Sequence, residues 1–365
     1  MTNETDVKWM RRALEVASGA ERLSPPNPAV GALIVRDDRL LAQGFTQRAG
    51  GPHAEVMALR DAFEKGVDTE GATLYVTLEP CSHYGRTPPC ALAVREARFA
   101  RVVIGSRDPN PLVSGRGIRI LEEAGIRVDG PVLEEEAFWK NRGFMTRMRT
   151  GLPWVRLKTA ATLDGRTAFP DGRSQWITGP AAREDNFHAR GRAGAVVTGV
   201  GTVLADDPQM TPRLPNQVRM PLRVVLDSKL RTPPEAKLFQ APGDVLIVTL
   251  SKDAERRAAL EAAGAEVLEL PGSGGAVDLR ALLEELARRD VNEVHVEAGA
   301  RLSGAFLEAG LVDEILLYQA PCLFGEGLPI ATLPLPAAPG EAPRWTIVST
   351  DQVGHDLRIV LKRGQ

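Results

Sequence analysis

Pro52-His53-Ala54-Glu55 opens a helical segment, Glu79-Pro80-Cys81 closes an apolar strand, and Cys90 opens a second helix. A catalytic zinc takes three protein ligands and keeps a fourth position for water, whose pKa it lowers to about 7. One His and two Cys thiolates supply the three ligands, so His53, Cys81 and Cys90 are the candidate metal set. A carboxylate outside that set must then move the proton. In His-x-Glu at a helix start, Glu55 lies two residues from His53 and can face the open position without binding the metal. This is the pattern of zinc-dependent base deaminases. Taken singly, a His at a helix start is an ordinary polar or capping residue, and two cysteines are ordinary buried thiols. Only their combination at a strand end and two helix starts points to the metal.

Around this segment, strands alternate with helices. Val7, Met10, Leu14 and Ala17 recur at helical spacing over residues 7–18. Val30–Val35 and Leu40–Phe45 read as a hairpin about Asp37-Asp38. Next come a helix over His53–Phe63, a strand over Leu74–Leu78, a helix over Cys90–Ala97, a strand over Arg101–Gly105, a helix over Gly117–Ala124 and a short strand at Ile126–Val128. The alternation predicts a three-layer α/β/α sandwich. A further helix, Leu133–Met148, precedes the break Thr150-Gly151-Leu152-Pro153, which sets the expected domains at residues 1–148 and 152–365. A second α/β alternation follows from Trp154 and closes with strands at Arg344–Ser349 and Asp356–Lys362. Gly272–Gly275 reads as a flexible connector and Pro334–Pro343 as a surface loop.

The Cys81–Cys90 interval holds eight residues, where cytidine and tRNA deaminases usually have two. Together with Pro26-Asn27-Pro28-Ala29-Val30-Gly31, His53-Ala54-Glu55, Asp108-Pro109-Asn110-Pro111 and Gly115-Arg116-Gly117, the segment Glu79–Cys90 resembles the deaminase domain of the bifunctional riboflavin-biosynthesis deaminase–reductases. The resemblance implies a cytidine-deaminase-like fold. It also implies a phosphorylated substrate, 2,5-diamino-6-ribosylamino-4(3H)-pyrimidinone 5′-phosphate. It makes His53, Cys81 and Cys90 zinc ligands, Glu55 the proton shuttle, and Asn27 and His83 substrate contacts. Arg86 stands where the family often carries Lys, and either cation suits a phosphate. Without the motif, Asn27 reads as a turn former and Arg86 as a solvated loop charge. Thr46 replaces a frequent His, which alters one substrate contact.

The second half has no Gly-x-Gly-x-x-Gly after a strand, so the usual dinucleotide fingerprint is missing. Two Gly-punctuated turns stand in its place, Gly199–Pro208 and Gly299-Ala300-Arg301-Leu302-Ser303-Gly304-Ala305, either of which is also an ordinary tight connection. Lys158–Arg166, Ser174–Thr178, Gly201–Pro208, Val225–Ser228 and Val296–Gly299 resemble the reductase domain of the same family. That implies a dihydrofolate-reductase-like α/β domain using NADPH. By motif position, Ala160, Trp176, Thr202, Asp206, Ser228 and the Gly299–Ala305 turn would hold the dinucleotide. Ser174, Arg190, Met210, Arg213 and Glu297 would hold the substrate, with Arg190 and Arg213 as phosphate clamps. His188, His295, His355 and Cys322 read as structural or surface residues.

Composition bounds the alternatives. The chain has 365 residues, 43% hydrophobic and 25% charged, which suits two soluble domains. Residues 1–150 carry 21 basic and 20 acidic side chains, and the remainder 24 and 27, so neither half is a basic nucleic-acid scaffold. Three cysteines are too few for a disulfide framework. The polar N-terminus and the lack of a long apolar run predict a cytoplasmic protein with no membrane partner. A homo-oligomer is expected. The competing reading is a zinc base deaminase acting on RNA or free nucleosides, with the second half as a binding module. The balanced charge and the long Cys–Cys interval count against it. A non-enzymatic binder with zinc as a structural clip is a third, and Glu55 counts against that, because a structural site fills its fourth position with a ligand.

Overall fold

The computed structural model describes residues 3–84, 88–110, 114–215 and 217–364. The chain divides into two compact units, Met1–Gly151 and Leu152–Gln365.

The first unit runs α1 (Glu4–Ala17), β1 (Gly31–Arg36), β2 (Arg39–Phe45), α2 (Ala54–Glu64), β3 (Thr73–Val76), α3 (Cys90–Glu96), β4 (Arg101–Ile104), α4 (Arg116–Glu123), β5 (Arg127–Asp129) and α5 (Glu134–Thr150). Its sheet order is β2-β1-β3-β4-β5, with β1 antiparallel to both neighbours and β3, β4 and β5 parallel. The strands are apolar on both faces because both are covered. Ala32, Ile34, Leu74, Val76, Val102 and Ile104 pack on one side with Ala54, Ala58 and Val94. The alternate residues Leu33, Val35, Tyr75 and Val103 pack on the other with Trp9, Met10 and Ala13 of α1. This is the three-layer sandwich that the alternation predicts.

The second unit begins with β6 (Trp154–Ala161), β7 (Arg166–Ala168), α6 (Pro180–Arg192), β8 (Ala195–Gly199), α7 (Val200–Asp206), β9 (Leu222–Leu226), α8 (Lys237–Gln240), β10 (Val245–Thr249), α9 (Ala254–Ala262) and β11 (Ala265–Glu269). It continues with β12 (Gly272–Ser273), β13 (Ala276–Val277), α10 (Leu279–Arg288), β14 (Glu293–Glu297), α11 (Ala300–Glu308), β15 (Glu314–Gln319), β16 (Leu328–Pro329), β17 (Trp345–Val353) and β18 (Asp356–Arg363). The main sheet is β11-β10-β9-β8-β14-β6-β15-β18-β17, parallel from β11 to β15 and antiparallel for the last two strands. Val294 and Val296 of β14 enter the apolar core with Val155 and Leu157 of β6. The intervening residues Glu293, His295 and Glu297 share the opposite face with Arg156 and Lys158, their register partners across β6 being Trp154, Arg156 and Lys158. Arg156 is 1% exposed and pairs with Glu293 and Glu314.

Two local expectations change. Gly272–Gly275 forms a tight hairpin between β12 and β13, because Gly274 and Gly275 (φ 59° and 76°) supply the paired positive φ of such a turn. The Gly199–Pro208 segment contains helix α7, which starts at once after β8. No helix among the described residues is long and apolar enough to cross a membrane.

Gly31 sits where α1 lies directly on β1. A Cβ there would fall 2.1 Å from the Ala13 carbonyl oxygen and 2.8 Å from the Ala17 nitrogen. Gly31→Ala is therefore expected to destabilise the first unit by about 2 kcal/mol or more. Thermal denaturation of the full chain measures this, and an unchanged midpoint would contradict the close approach.

Candidate functional site

The first cluster is built from three element ends. His53 is the extended residue before α2 (φ −80°, ψ 172°), and Cys90 is the first residue of α3. Cys81 follows β3 on a segment that Glu79 holds in place. The Glu79 carboxylate accepts the backbone N–H groups of Asp108, Gly115 and Ile118 at 3.3, 3.1 and 3.4 Å. Gly117 is required there, since a Cβ would meet the Pro80 carbonyl oxygen at 1.9 Å. The Gly115-Arg116-Gly117 motif thus supports the backbone that carries Cys81.

His53 Nδ1 lies 3.2 Å from Cys90 Sγ and 3.6 Å from Cys81 Sγ, and the three candidate ligand atoms fall within 4.8 Å of one another. The Cys90 N–H donates to Cys81 Sγ at 3.3 Å. Hydrogen bonding from Cys90, then from His53, pulls the Cys81 thiol down to about 4 against the effect of burial. The charged Cys81 and burial push Cys90 up. Two thiolates can coexist at this range only with a cation between them. A nitrogen and two sulfurs are the donors that zinc prefers, with bonds of about 2.0–2.3 Å. Glu55, in the first turn of α2, is 4% exposed. Burial, reinforced by the Cys81 charge, raises its carboxyl to about 7. A carboxyl whose burial favours its protonated form therefore adjoins the cluster, as a proton carrier there requires.

The other sequence candidates of this unit are less closely engaged. Asn27 is half-buried, donating its backbone N–H to the Ser24 carbonyl at 2.9 Å. His83 is half-buried, and its Nδ1 is enclosed without a hydrogen-bond partner among the described residues. Thr46 is 2% exposed and its hydroxyl likewise lacks a partner. Arg86 lies outside the described residues.

The second unit contains a cleft of about 2240 Å³. Ala160, Trp176, Thr202, Asp206, Ser228, Gly299, Ala300, Arg301, Leu302 and Ala305 of the proposed cofactor set line it. So do all five proposed substrate residues, Ser174, Arg190, Met210, Arg213 and Glu297. Ser303 and Gly304 do not. Ser303 donates its hydroxyl to the Ala298 carbonyl at 3.2 Å, and Gly304 abuts the Thr332 carbonyl, where a Cβ would stand at 1.9 Å. Both serve the packing of α11. The two Gly turns lead into α7 and α11, neither of which has a side-chain cap. Nothing stands within 4 Å of a Cβ at Gly201 or Gly299, both of which line the cleft, so its wall is open at these two uncapped helix starts, a setting that suits an anion.

Arg190 is already engaged. Its Nε and Nη2 donate to the two Glu297 oxygens, and its Nη1 donates to the Thr211 carbonyl. Arg213 has no ion-pair partner among the described residues, and its guanidinium lies 5.4 Å from the Phe187 ring. Phe187, which also carries Arg190 at 5.7 Å, was not singled out from sequence. Nor was Arg183, which stacks 4.4 Å from the ring of Trp176, itself 68% exposed. Helical spacing from Arg190 back to Phe187 and Arg183 was the available signal. Lys158 also lines the cleft, its pKa lowered by burial and partly restored by Glu297.

A sandwich bearing a His/Cys/Cys cluster beside a buried Glu, joined to an α/β unit with a large anion-ready cleft, defines a zinc deaminase fused to a reductase. Residues 3–106 match the cytidine and deoxycytidylate deaminase zinc-binding region, and residues 153–359 match the RibD C-terminal domain. The riboflavin biosynthesis protein RibD of Escherichia coli (strain K12) is 43% identical, covering 96% of this chain and 98% of its own. That of Aquifex aeolicus (strain VF5) is 40% identical over the whole of both chains. The solved structure of Acinetobacter baumannii RibD, form 1, superposes with a TM-score of 0.90 at 42% identity and 99% coverage of each chain. A Thermotoga maritima structure, titled as a diaminohydroxyphosphoribosylaminopyrimidine deaminase/5-amino-6-(5-phosphoribosylamino)uracil reductase, does so at 0.88 and 35%, again covering 99% of each. The chain belongs to the RibD family of bifunctional deaminase–reductases of riboflavin biosynthesis. Its cofactors are zinc and NADPH.

Removing one sulfur should abolish metal retention, whereas Glu55 is not needed for it. Elemental analysis of the purified protein is expected to give about one zinc per chain for the parent and for Glu55→Gln, and a near-complete loss for Cys90→Ala. Full zinc content in Cys90→Ala would remove Cys90 from the ligand set.

Proposed function

We propose that residues 1–148 deaminate 2,5-diamino-6-ribosylamino-4(3H)-pyrimidinone 5′-phosphate and that residues 152–365 reduce the product, 5-amino-6-(5-phosphoribosylamino)uracil, to its ribitylamino form. The observation that carries the first step is the buried Glu55 beside His53, Cys81 and Cys90. These three residues would hold the zinc, which supplies a water acidified to near neutrality. Glu55 takes the proton of the water that attacks pyrimidine C2 and passes it to the departing ammonia. Asn27, His83 and Arg86 would hold the substrate.

In the second unit, NADPH when bound would supply the hydride for C1′ of the opened ribosylamino group, with the balancing proton reaching the adjacent nitrogen from solvent. The Gly299–Leu302 turn with Ala305, together with Ala160, Trp176, Thr202, Asp206 and Ser228, would hold the cofactor; Ser303 and Gly304 support that turn from behind. Ser174, Met210, Arg213 and Glu297 would hold the substrate. Of the two arginines read as phosphate clamps, Arg190 is committed to Glu297, which leaves Arg213 to meet the 5′-phosphate. The ionised Glu297 accepts hydrogen bonds and does not donate a proton. This reading places the enzyme in the cytoplasm, where thiols stay reduced. There it acts as a homo-oligomer on a free phosphorylated pyrimidine, with no nucleic-acid or membrane partner.

A coupled assay that follows ammonia release and NADPH absorbance together tests both steps. The parent is expected to show both signals with the diamino substrate. Glu55→Gln should lose ammonia release by at least about 100-fold while still oxidising NADPH with the deaminated intermediate. Flat NADPH absorbance with that intermediate would overturn the reductase assignment.

A further inference from the structure

Glu297 is held by more than Arg190. Its Oε1 also lies 3.2 Å from Asn186 Nδ2 and 3.1 Å from His295 Nε2, and its Oε2 accepts from Arg190 Nη2 at 2.7 Å. Asn186 Oδ1 is in turn 3.2 Å from the same His295 Nε2. His295 is fully buried and does not line the cleft, whereas Asn186 and Glu297 do.

The chemistry of these atoms leaves one arrangement. An ionised carboxylate only accepts, so both Asn186 Nδ2 and His295 Nε2 must donate to it. The Asn186 amide is then turned with its oxygen toward His295, and the Nε2–H is shared between two acceptors. The imidazole carries a single proton, because Arg156 is its register partner on β6 and burial disfavours a second charge. Nδ1, which has no hydrogen-bond partner among the described residues, is the bare nitrogen. Oε1 thus faces Arg190 Nε, Asn186 Nδ2 and His295 Nε2, whereas Oε2 accepts only from Arg190 Nη2, so the acceptor capacity left for a ligand at this cleft-lining residue is on Oε2.

We propose that His295 and Asn186 are positioning residues of the reductase, locking Glu297 as an acceptor of fixed orientation at the substrate end of the cleft. The proposal rests on the reading of Glu297 as a substrate contact. It applies to substrate recognition and leaves cofactor binding untouched.

The test uses the full-length enzyme and the deaminated phosphoribosylaminouracil intermediate. KM and kcat are measured by NADPH oxidation, and the NADPH Kd by protein fluorescence. Glu297→Gln and His295→Phe are each expected to raise the substrate KM about tenfold, with the NADPH Kd within about twofold of the parent. His295→Gln, which returns an N–H at similar reach, should recover most of the loss. If Glu297→Gln leaves KM unchanged, the underlying reading of Glu297 falls and the proposal with it. If Glu297→Gln raises KM but His295→Phe does not, the positioning role alone is wrong.

Should His295→Phe lose NADPH binding as well, the decision passes to Asn186→Ala and to ¹⁵N spectra of the histidines. The chain has only five histidines. An Nε2–H neutral tautomer at His295 across pH 6–8, with a raised KM in Asn186→Ala, supports the lock. An Nδ1–H tautomer, or an unchanged KM, overturns it.

Discussion

Every helix start leaves its first N–H groups without intrahelical partners, and both sites grow from that constraint. The usual remedy is a side-chain cap, as Asp253 and Asp278 provide for α9 and α10. Four of the helices that border the two sites lack one. His53 precedes α2 and Pro89 precedes α3, with no cap hydrogen bond from either side chain. Gly199 and Gly299 precede α7 and α11 in the same way. In the first unit the open position is taken up by sulfur, since the Cys90 N–H points at Cys81 Sγ. That contact favours the thiolate and so ties the local fold to metal affinity. In the second unit the uncapped starts of α7 and α11 border the cleft, where a bound phosphate would be met by such N–H groups.

The cleft has a second requirement, a floor that does not shift. On the face of the second sheet opposite the apolar core, β14 and β6 present charged and polar residues in register, with Arg156 clamped between Glu293 and Glu314 and Glu297 held at the far end. A buried ion pair of this kind adds little net stability, but losing one partner leaves a stranded charge, at about 3–5 kcal/mol. The alternatives to the native arrangement are therefore expensive. Glu297 sits at the last residue of β14, where the sheet ends and the α11 turn begins. Its orientation is inherited from strands whose interiors are fully packed.

The α/β/α sandwich, the α/β alternation of the second half and the deaminase chemistry could be read from the sequence because their signals are short-range, whereas the reductase-like fold came from resemblance to a family. His-x-Glu, Pro-Cys and the second Cys each mark one element end, and the strand and helix periods are local. The errors have local causes too. Glycines at 199 and 201 suggested a loop, yet Gly199 only ends the strand and α7 follows without a linker. Ser303 and Gly304 fell within the Gly299–Ala305 turn but lie on a part of α11 that does not line the cleft, Ser303 bonded to the Ala298 carbonyl and Gly304 against Thr332. The engagement of Arg190 and the place of His295 had no sequence signal. They depend on β14 lying between β8 and β6, and on α6 covering that face, pairings 99 or more residues apart in the chain.

Charge shows the same difference between chain-level and site-level reading. The second half of the sequence is slightly acidic, with 24 basic against 27 acidic residues after position 150. Its cleft is the reverse, lined by Lys158, Arg183, Arg190, Arg213, Lys229, Arg231, Lys237 and Arg301 against Glu184, Asp206, Asp207 and Glu297. Two of those acids are already matched, Glu297 to Arg190 and Asp207 to Lys237. A concave surface with surplus cations and low-dielectric walls concentrates anions. A dinucleotide and a sugar phosphate are anions of the right size for it. The balanced total conceals this because the compensating carboxylates lie elsewhere on the unit. Net charge argues against a nucleic-acid scaffold, as the sequence suggested, but it says nothing about an enclosed phosphate site.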